Sequence, residues 1–144
     1  MAHTFTHTHR VEFADTDAAG LAHFTAFFRW MEVTEHAFYR SLGGAAFERT
    51  PEGDFGMPRI QATCEYLRPL TFGDEALARL VVKSKSGKKI EYEFTFYLGP
   101  ETPAEDDAVA RGTMTVVSAM RKGSGRFRSC TLPKSLLQSI EAAT

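Results

Sequence analysis

Residues 13–43, FADTDAAGLAHFTAFFRWMEVTEHAFYRSLG, constrain this chain more than any other stretch. A tight acidic turn, Asp15-Thr16-Asp17-Ala18-Ala19-Gly20, runs directly into the only segment able to make a long helix. Gly20 supplies the backbone freedom that a sharp strand-to-helix corner requires. The spacing predicts a helix over about residues 22–42, stopped by Gly43-Gly44. Phe24, Phe27, Phe28, Met31, Phe38 and Leu42 fall near i, i+3, i+4 and i+7, so one broad stripe is apolar and the helix must be wrapped by something larger. The junction also sets carboxylates beside the unpaired N–H groups of a helix start, where negative charge developing on a substrate is stabilised. A carboxylate next to oxyanion donors suits acyl transfer.

The remaining chain reads as strands. Residues 3–13 place Phe5, Val11 and Phe13 among threonines and histidines, which suits a half-buried strand with His7 and His9 on one face. A metal site at His3, His7 and His9 lacks an Asp, Glu or Cys partner, and a solvated strand face is the simpler reading. Residues 44–57, with Thr50-Pro51-Glu52-Gly53-Asp54, read as a loop. A strand follows over 59–67, with Ile60, Ala62, Cys64 and Tyr66 on one face, and Pro69 ends it. Strands over 76–85 and 88–98 join at Ser86-Gly87, the second alternating Ile90, Tyr92, Phe94, Phe96 and Leu98 with polar neighbours. Residues 99–107 form an acidic turn, 108–121 the last strand, and Leu132-Pro133 opens a short helix with Leu136, Leu137 and Ile140 on its apolar side. The expected fold is therefore α+β: a five-stranded antiparallel sheet, four of its strands able to form a meander, curled around one long helix in a single domain over 1–144.

Composition removes several classes of function. Seventeen basic against eighteen acidic residues leave no charge excess that calls for nucleic acid or a membrane surface. Cys64 and Cys130 are too few for a disulfide framework or zinc site, and Cys64, in an apolar strand pattern, reads as a small buried hydrophobe. The start, MAHTFTHTHR, carries no apolar signal region and no run approaches membrane-spanning length, so a cytoplasmic protein is expected.

The DTDAAG run, followed at once by a helix carrying HF, RWME and EH, resembles the hot-dog-fold acyl-CoA thioesterases of the 4-hydroxybenzoyl-CoA thioesterase type, whose D-x-D-x-x-G signature opens the central helix. The order of the later segments is similar as well. The resemblance implies hydrolysis of an acyl-CoA to acid and CoA, no metal or bound organic cofactor, and a homodimer or homotetramer with sites between subunits. It assigns the attacking or water-activating carboxylate to Asp17, matching the second acid of the motif, and favours the Phe24 backbone N–H as oxyanion donor over that of His23. Helix geometry by itself leaves either N–H open. The His23 imidazole is a candidate second donor. Asp15 reads more simply as a cap of the turn or of the helix start.

Further candidate substrate contacts are Gly20, Glu32 and the cluster Lys83, Lys85, Lys88 and Lys89, with Arg121, Lys122, Arg126 and Arg128 beyond the last strand. In similar proteins basic residues on this side of the sheet meet the nucleotide phosphates of CoA, and phosphate attraction gives such clustering a physical sense; a solvated turn protecting a sheet edge is the plain alternative. Glu32 and His36 are four apart and read as an ion pair on one helix face, while Glu35 falls inside the apolar stripe and either acid could line an acyl pocket. Ala18 replaces a typical proline and Glu32 a shorter acid, which leaves the acyl group open. Two rival functions remain: a hot-dog hydratase or dehydratase using His23 with Asp17, and an acyl-CoA-binding module without turnover.

Overall fold

The computed structural model describes residues 4–100 and 107–140. His3 and most of the acidic turn expected over 99–107 lie outside them. Strands β1 (Thr4–Arg10), β4 (Arg59–Tyr66), β5 (Glu75–Ser86), β6 (Lys89–Leu98) and β7 (Ala108–Val117) form one antiparallel five-stranded sheet in the order β1-β5-β6-β7-β4. Helix α1 (Ala26–Ser41) packs against β1, β5 and β4. Period-two alternation turns Leu80, Val82, Ile90, Tyr92, Phe94, Phe96 and Val116 towards it, all fully buried. The architecture is the expected sheet around one central helix.

Four boundaries differ from the sequence reading. The helix begins at Ala26 because residues 22–25 are held in other bonds: Ala22 N–H donates to the Leu70 carbonyl and His23 N–H to the Asp15 carbonyl. The segment 44–57 is not a plain loop but carries a hairpin, β2 (Phe47–Thr50) and β3 (Gly53–Gly56). The last long strand breaks at Ser118, after which β8 (Ala119–Arg121) leaves the main sheet to pair with β3 and β9 (Arg128–Ser129). The four later strands are not a simple meander, since β4 lies at the far edge beside β7. Its link to β5 does not fold back as a hairpin: Leu67 and Arg68 N–H groups bond to Val109 and the Leu70 carbonyl takes Ala22, drawing 67–71 across the front of α1.

Two core positions also depart from expectation. His9 is buried, not solvated, because residues 5, 7 and 9 share the strand face that meets the helix; its ring stacks on Trp30 at 5.9 Å and its Nε2 hydrogen-bonds the Thr34 hydroxyl at 2.8 Å. Burial, with the nearby His7 and Arg29, lowers its pKa to about 4, so this ring is neutral at physiological pH. Glu32 and His36 do not pair. Instead Arg59 of β4 reaches both Glu35, at 2.5 Å and with no solvent exposure, and Glu32, at 3.6 Å. The short helix α2 (Lys134–Ser139) forms as predicted, with Pro133 at its N-cap.

Candidate active site

The acidic turn is built by its own side chains. A single 3-10 turn at Phe13–Asp15 is closed by a capping box between Glu12 and Asp15. Asp15 is buried, accepts the Glu12 N–H at 2.8 Å and pairs with Arg29 of the helix. It is a structural clamp, as its capping reading proposed. Gly20 takes φ +80°, a conformation that any Cβ would strain. Asp17 occupies the crest, and its Oδ1 accepts N–H bonds from Ala19 at 2.9 Å and Leu21 at 3.1 Å. Its Oδ2 takes no donor from any described residue and is available for chemistry.

The backbone N–H groups that follow are almost all committed. Ala19 and Leu21 donate to the Asp17 carboxylate, Gly20 to the Asp17 carbonyl, Ala22 to Leu70, His23 to Asp15, Thr25 to the His23 ring, and Ala26 to the His23 carbonyl. Within 19–26 only the Phe24 N–H has no partner among the described residues. Asp17 and Phe24 both line a cleft of about 340 Å³ between the acidic turn and the 66–70 segment. Its walls are largely apolar, including Phe27, Tyr66 and Leu70, with Arg68 as its cation.

The other sequence candidates sort clearly. The His23 N–H, one of the two oxyanion donors the sequence left open, is spent on Asp15, and the His23 ring bonds the Thr25 hydroxyl at 2.7 Å and stacks on Phe24. That ring does not line the cleft. Glu32 is exposed and engaged with Arg59, away from Asp17. Lys85 donates to the Leu137 and Ile140 carbonyls at the end of α2, and Lys83 pairs with Glu93 at 3.7 Å. Lys88 and Lys89 are exposed at the β5–β6 turn. None of the four lysines lines the cleft within the same protomer. Lys122, Arg126 and Arg128 instead surround a separate pocket of about 380 Å³. No cluster of three or more metal-ligating side chains occurs among the described residues, and among them no helix is long and apolar enough to cross a membrane.

Sequence reasoning missed Tyr66 and Arg68 as cleft residues. The visible signal was a strand ending in Tyr-Leu-Arg ahead of Pro69, read only for its alternation. Which element it would face required the crossing of 67–71.

A carboxylate and a lone N–H at a strand-to-helix corner, inside a sheet wrapped on one helix, describe a hot-dog acyl-thioester hydrolase. Residues 11–140 match the model of the thioesterase-like superfamily, and the chain belongs to that family. A protein of Aquifex aeolicus (strain VF5) with a provisional esterase name is 30% identical over 139 residues, covering 95% of this chain and 98% of its own. The 4-hydroxybenzoyl-CoA thioesterase of Pseudomonas sp. (strain CBS-3) is 23% identical over 141 residues, covering 96% of this chain and 98% of its own. Among solved structures, Slr0204, a 1,4-dihydroxy-2-naphthoyl-CoA thioesterase from Synechocystis, superposes with a TM-score of 0.81 at 23% identity, covering 96% of both chains. The family resemblance read from the DTDAAG run is thus shown, and the protein is a thioester hydrolase.

Proposed function

We propose that this protein hydrolyses a short-chain or aromatic acyl-CoA to the free acid and CoA, with Asp17 as the attacking or water-activating carboxylate and the Phe24 N–H as oxyanion donor. One observation carries the reading: among the described residues the single uncommitted N–H in the run 19–26 belongs to Phe24, which lines the same cleft as Asp17, whose Oδ2 takes no donor. The thioester carbonyl oxygen accepts from Phe24, and charge that develops on it during attack is held there. Asp17 Oδ2 then either adds to the carbonyl carbon, expelling CoA thiolate and leaving a mixed anhydride for water to open, or takes a proton from the attacking water. Apolar walls from Phe27, Tyr66 and Leu70 accommodate an aryl or short alkyl group. The relatives named for hydroxybenzoyl- and dihydroxynaphthoyl-CoA support the aromatic branch. No metal or organic cofactor enters this scheme.

A homodimer or homotetramer is part of the proposal. Strand β4 lies at a sheet edge, and Ile60, Tyr66 and Leu67 on or beside it are exposed in the single chain. A second subunit laid on this edge would close the cleft and add cations to the one, Arg68, that a single protomer places there. A hydratase using His23 is disfavoured by that ring's engagement with Thr25.

The test is thiol release from benzoyl-, hydroxybenzoyl-, hydroxynaphthoyl-, acetyl-, hexanoyl- and palmitoyl-CoA by the wild type and Asp17→Asn. Turnover lost by about 10²–10⁴-fold or more in a variant that stays folded and oligomeric is the expected result. Binding without turnover of any of them by the wild type would instead identify a non-catalytic acyl-CoA module. Rapid-quench mass spectrometry of the wild type separates the two chemistries, an acyl-enzyme mass marking the anhydride.

A further inference from the structure

The Phe24 N–H can act as an oxyanion donor only if its peptide is held at a fixed angle to the cleft, because the worth of such a donor depends on preorganisation. The peptide that carries it is anchored through its own carbonyl, that of His23, which accepts the Ala26 N–H at 2.9 Å, and the peptide before it is tied by the His23 N–H to the Asp15 carbonyl at 2.6 Å. The following peptide is anchored by a side chain from across the cleft. The Tyr66 hydroxyl donates to the Phe24 carbonyl at 2.7 Å, over a separation of 42 residues. Tyr66 is the last residue of β4, pairs with Ala110 of β7 and sets its ring edge-on to Phe27 at 5.3 Å. Its phenol is therefore fixed to the sheet at one end and to the first helical turn at the other.

Resting on the thioesterase reading above, we propose that Tyr66 is a positioning residue for the reaction: by holding the Phe24 carbonyl it aims the Phe24 N–H at the oxyanion. Without this bond the peptide between Phe24 and Thr25 keeps, among the described residues, only the longer bond from the Thr25 N–H to His23 Nδ1 at 3.2 Å, and the backbone at Phe24 is held less firmly. Desolvation, aided by the Cys64 thiol, pushes the phenol up to about 12, so it remains a donor at neutral pH. The hydroxyl is spent on the Phe24 carbonyl and is not required as an acid or base. Its contribution belongs to kcat, since an oxyanion interaction strengthens in the transition state and adds little to binding of the intact thioester.

Tyr66→Phe keeps the ring and removes only the oxygen. With the best substrate of the panel, kcat should fall roughly 10- to 100-fold while KM stays within about threefold, with a pH–rate profile of wild-type shape at lower height. The Phe24 amide cross-peak in a ¹H–¹⁵N spectrum of the substrate-free protein should shift. If Tyr66→Phe does not fold, Tyr66→Met removes the same hydroxyl with an adaptable side chain and takes its place in each measurement. A kcat within twofold of wild type overturns the proposal, as does a loss carried wholly by KM, which would make Tyr66 a substrate contact, or a lost pH limb, which would make it an acid. These outcomes are distinct from failure of the underlying reading: inactivity of the wild type on every acyl-CoA would sink the thioesterase assignment, whereas an active wild type with an inactive Asp17→Asn and an unaffected Tyr66→Phe removes only the role of Tyr66.

Discussion

At the scale of single residues, two aspartates two positions apart in one turn differ in what surrounds their oxygens. Asp15 is enclosed by Glu12 and Arg29, while Asp17 lines the cleft with one oxygen that takes no donor from any described residue. His23 is adjacent to the proposed catalytic groups but engaged elsewhere, so His23→Ala should lower kcat/KM by less than about tenfold, far less than Asp17→Asn; steady-state kinetics on one substrate compares them. His9 yields a pH prediction. Its folded pKa is about 4 against 6.5 for an unperturbed ring, so between those values the unfolded chain binds the extra proton. Stability from this residue is fully present above pH 6.5 and is lost as pH falls towards 4, by about 3 kcal/mol in all. Thermal melts from pH 7.5 to 4.5 should show that decline, and His9→Gln should flatten it.

At the scale of elements, the contacts that tie α1 to the sheet include a charged bridge and a close approach. Arg59 of β4 holds the buried Glu35, whose carboxyl burial raises above the usual carboxylate range against the opposing pull of the guanidinium. Its second oxygen, Oε2, makes no hydrogen bond within geometric limits among the described residues, and the Tyr39 and Tyr92 hydroxyls bond each other within the same core, with that of Tyr92 also favouring the charged carboxylate. Removing the cation leaves a buried carboxylate uncompensated, so Arg59→Leu should cost roughly 3–5 kcal/mol at pH 8. The deficit should shrink at pH 5, where Glu35 can take a proton; urea titrations at the two pH values read the difference. The close approach is at Gly112 of β7, where a Cβ would run into the Met31 side chain and come within 2.8 Å of the Thr63 carbonyl oxygen. Met31 can move and the β4 backbone cannot, so Gly112→Ala should destabilise by about 1–3 kcal/mol, only partly relieved by Met31→Ala.

At the scale of the whole molecule, the sheet has two edges of unlike character. β1 presents Thr4, Thr6, Thr8 and Arg10 outward, whereas β4 is exposed along most of its length with Ile60 and Tyr66 on it and Leu67 just beyond. Association through β4 should give a particle of at least twice 16.0 kDa in sedimentation. Ala62→Arg, mid-edge on that strand, should shift it towards monomer and lower turnover in parallel.

Much of this was written in local pattern. The D-T-D-x-x-G turn, the helix it opens, the 90–96 alternation and the Pro-opened terminal helix are all short-range signals, because turn sterics, helical period and strand period act over a few residues. The capping role of Asp15 was legible for the same reason, since capping is local, whereas Asp17 was singled out by its match to the family motif. Long-range placement was decided only in three dimensions. His9 looked solvated until Trp30 and Thr34 covered it; Glu35 gained Arg59 from a strand 24 residues away; Lys85 was drawn to the end of α2. The hairpin at 47–56 and the break at Ser118 exist because β8 found β3, a pairing that neither segment's own pattern announces. The proposed oxyanion donor shows the division most clearly. Sequence determined that a helix start with spare N–H groups would stand beside Asp17, while tertiary structure decided which one stayed spare, because Asp15 and Leu70 took the N–H groups of His23 and Ala22 and left that of Phe24.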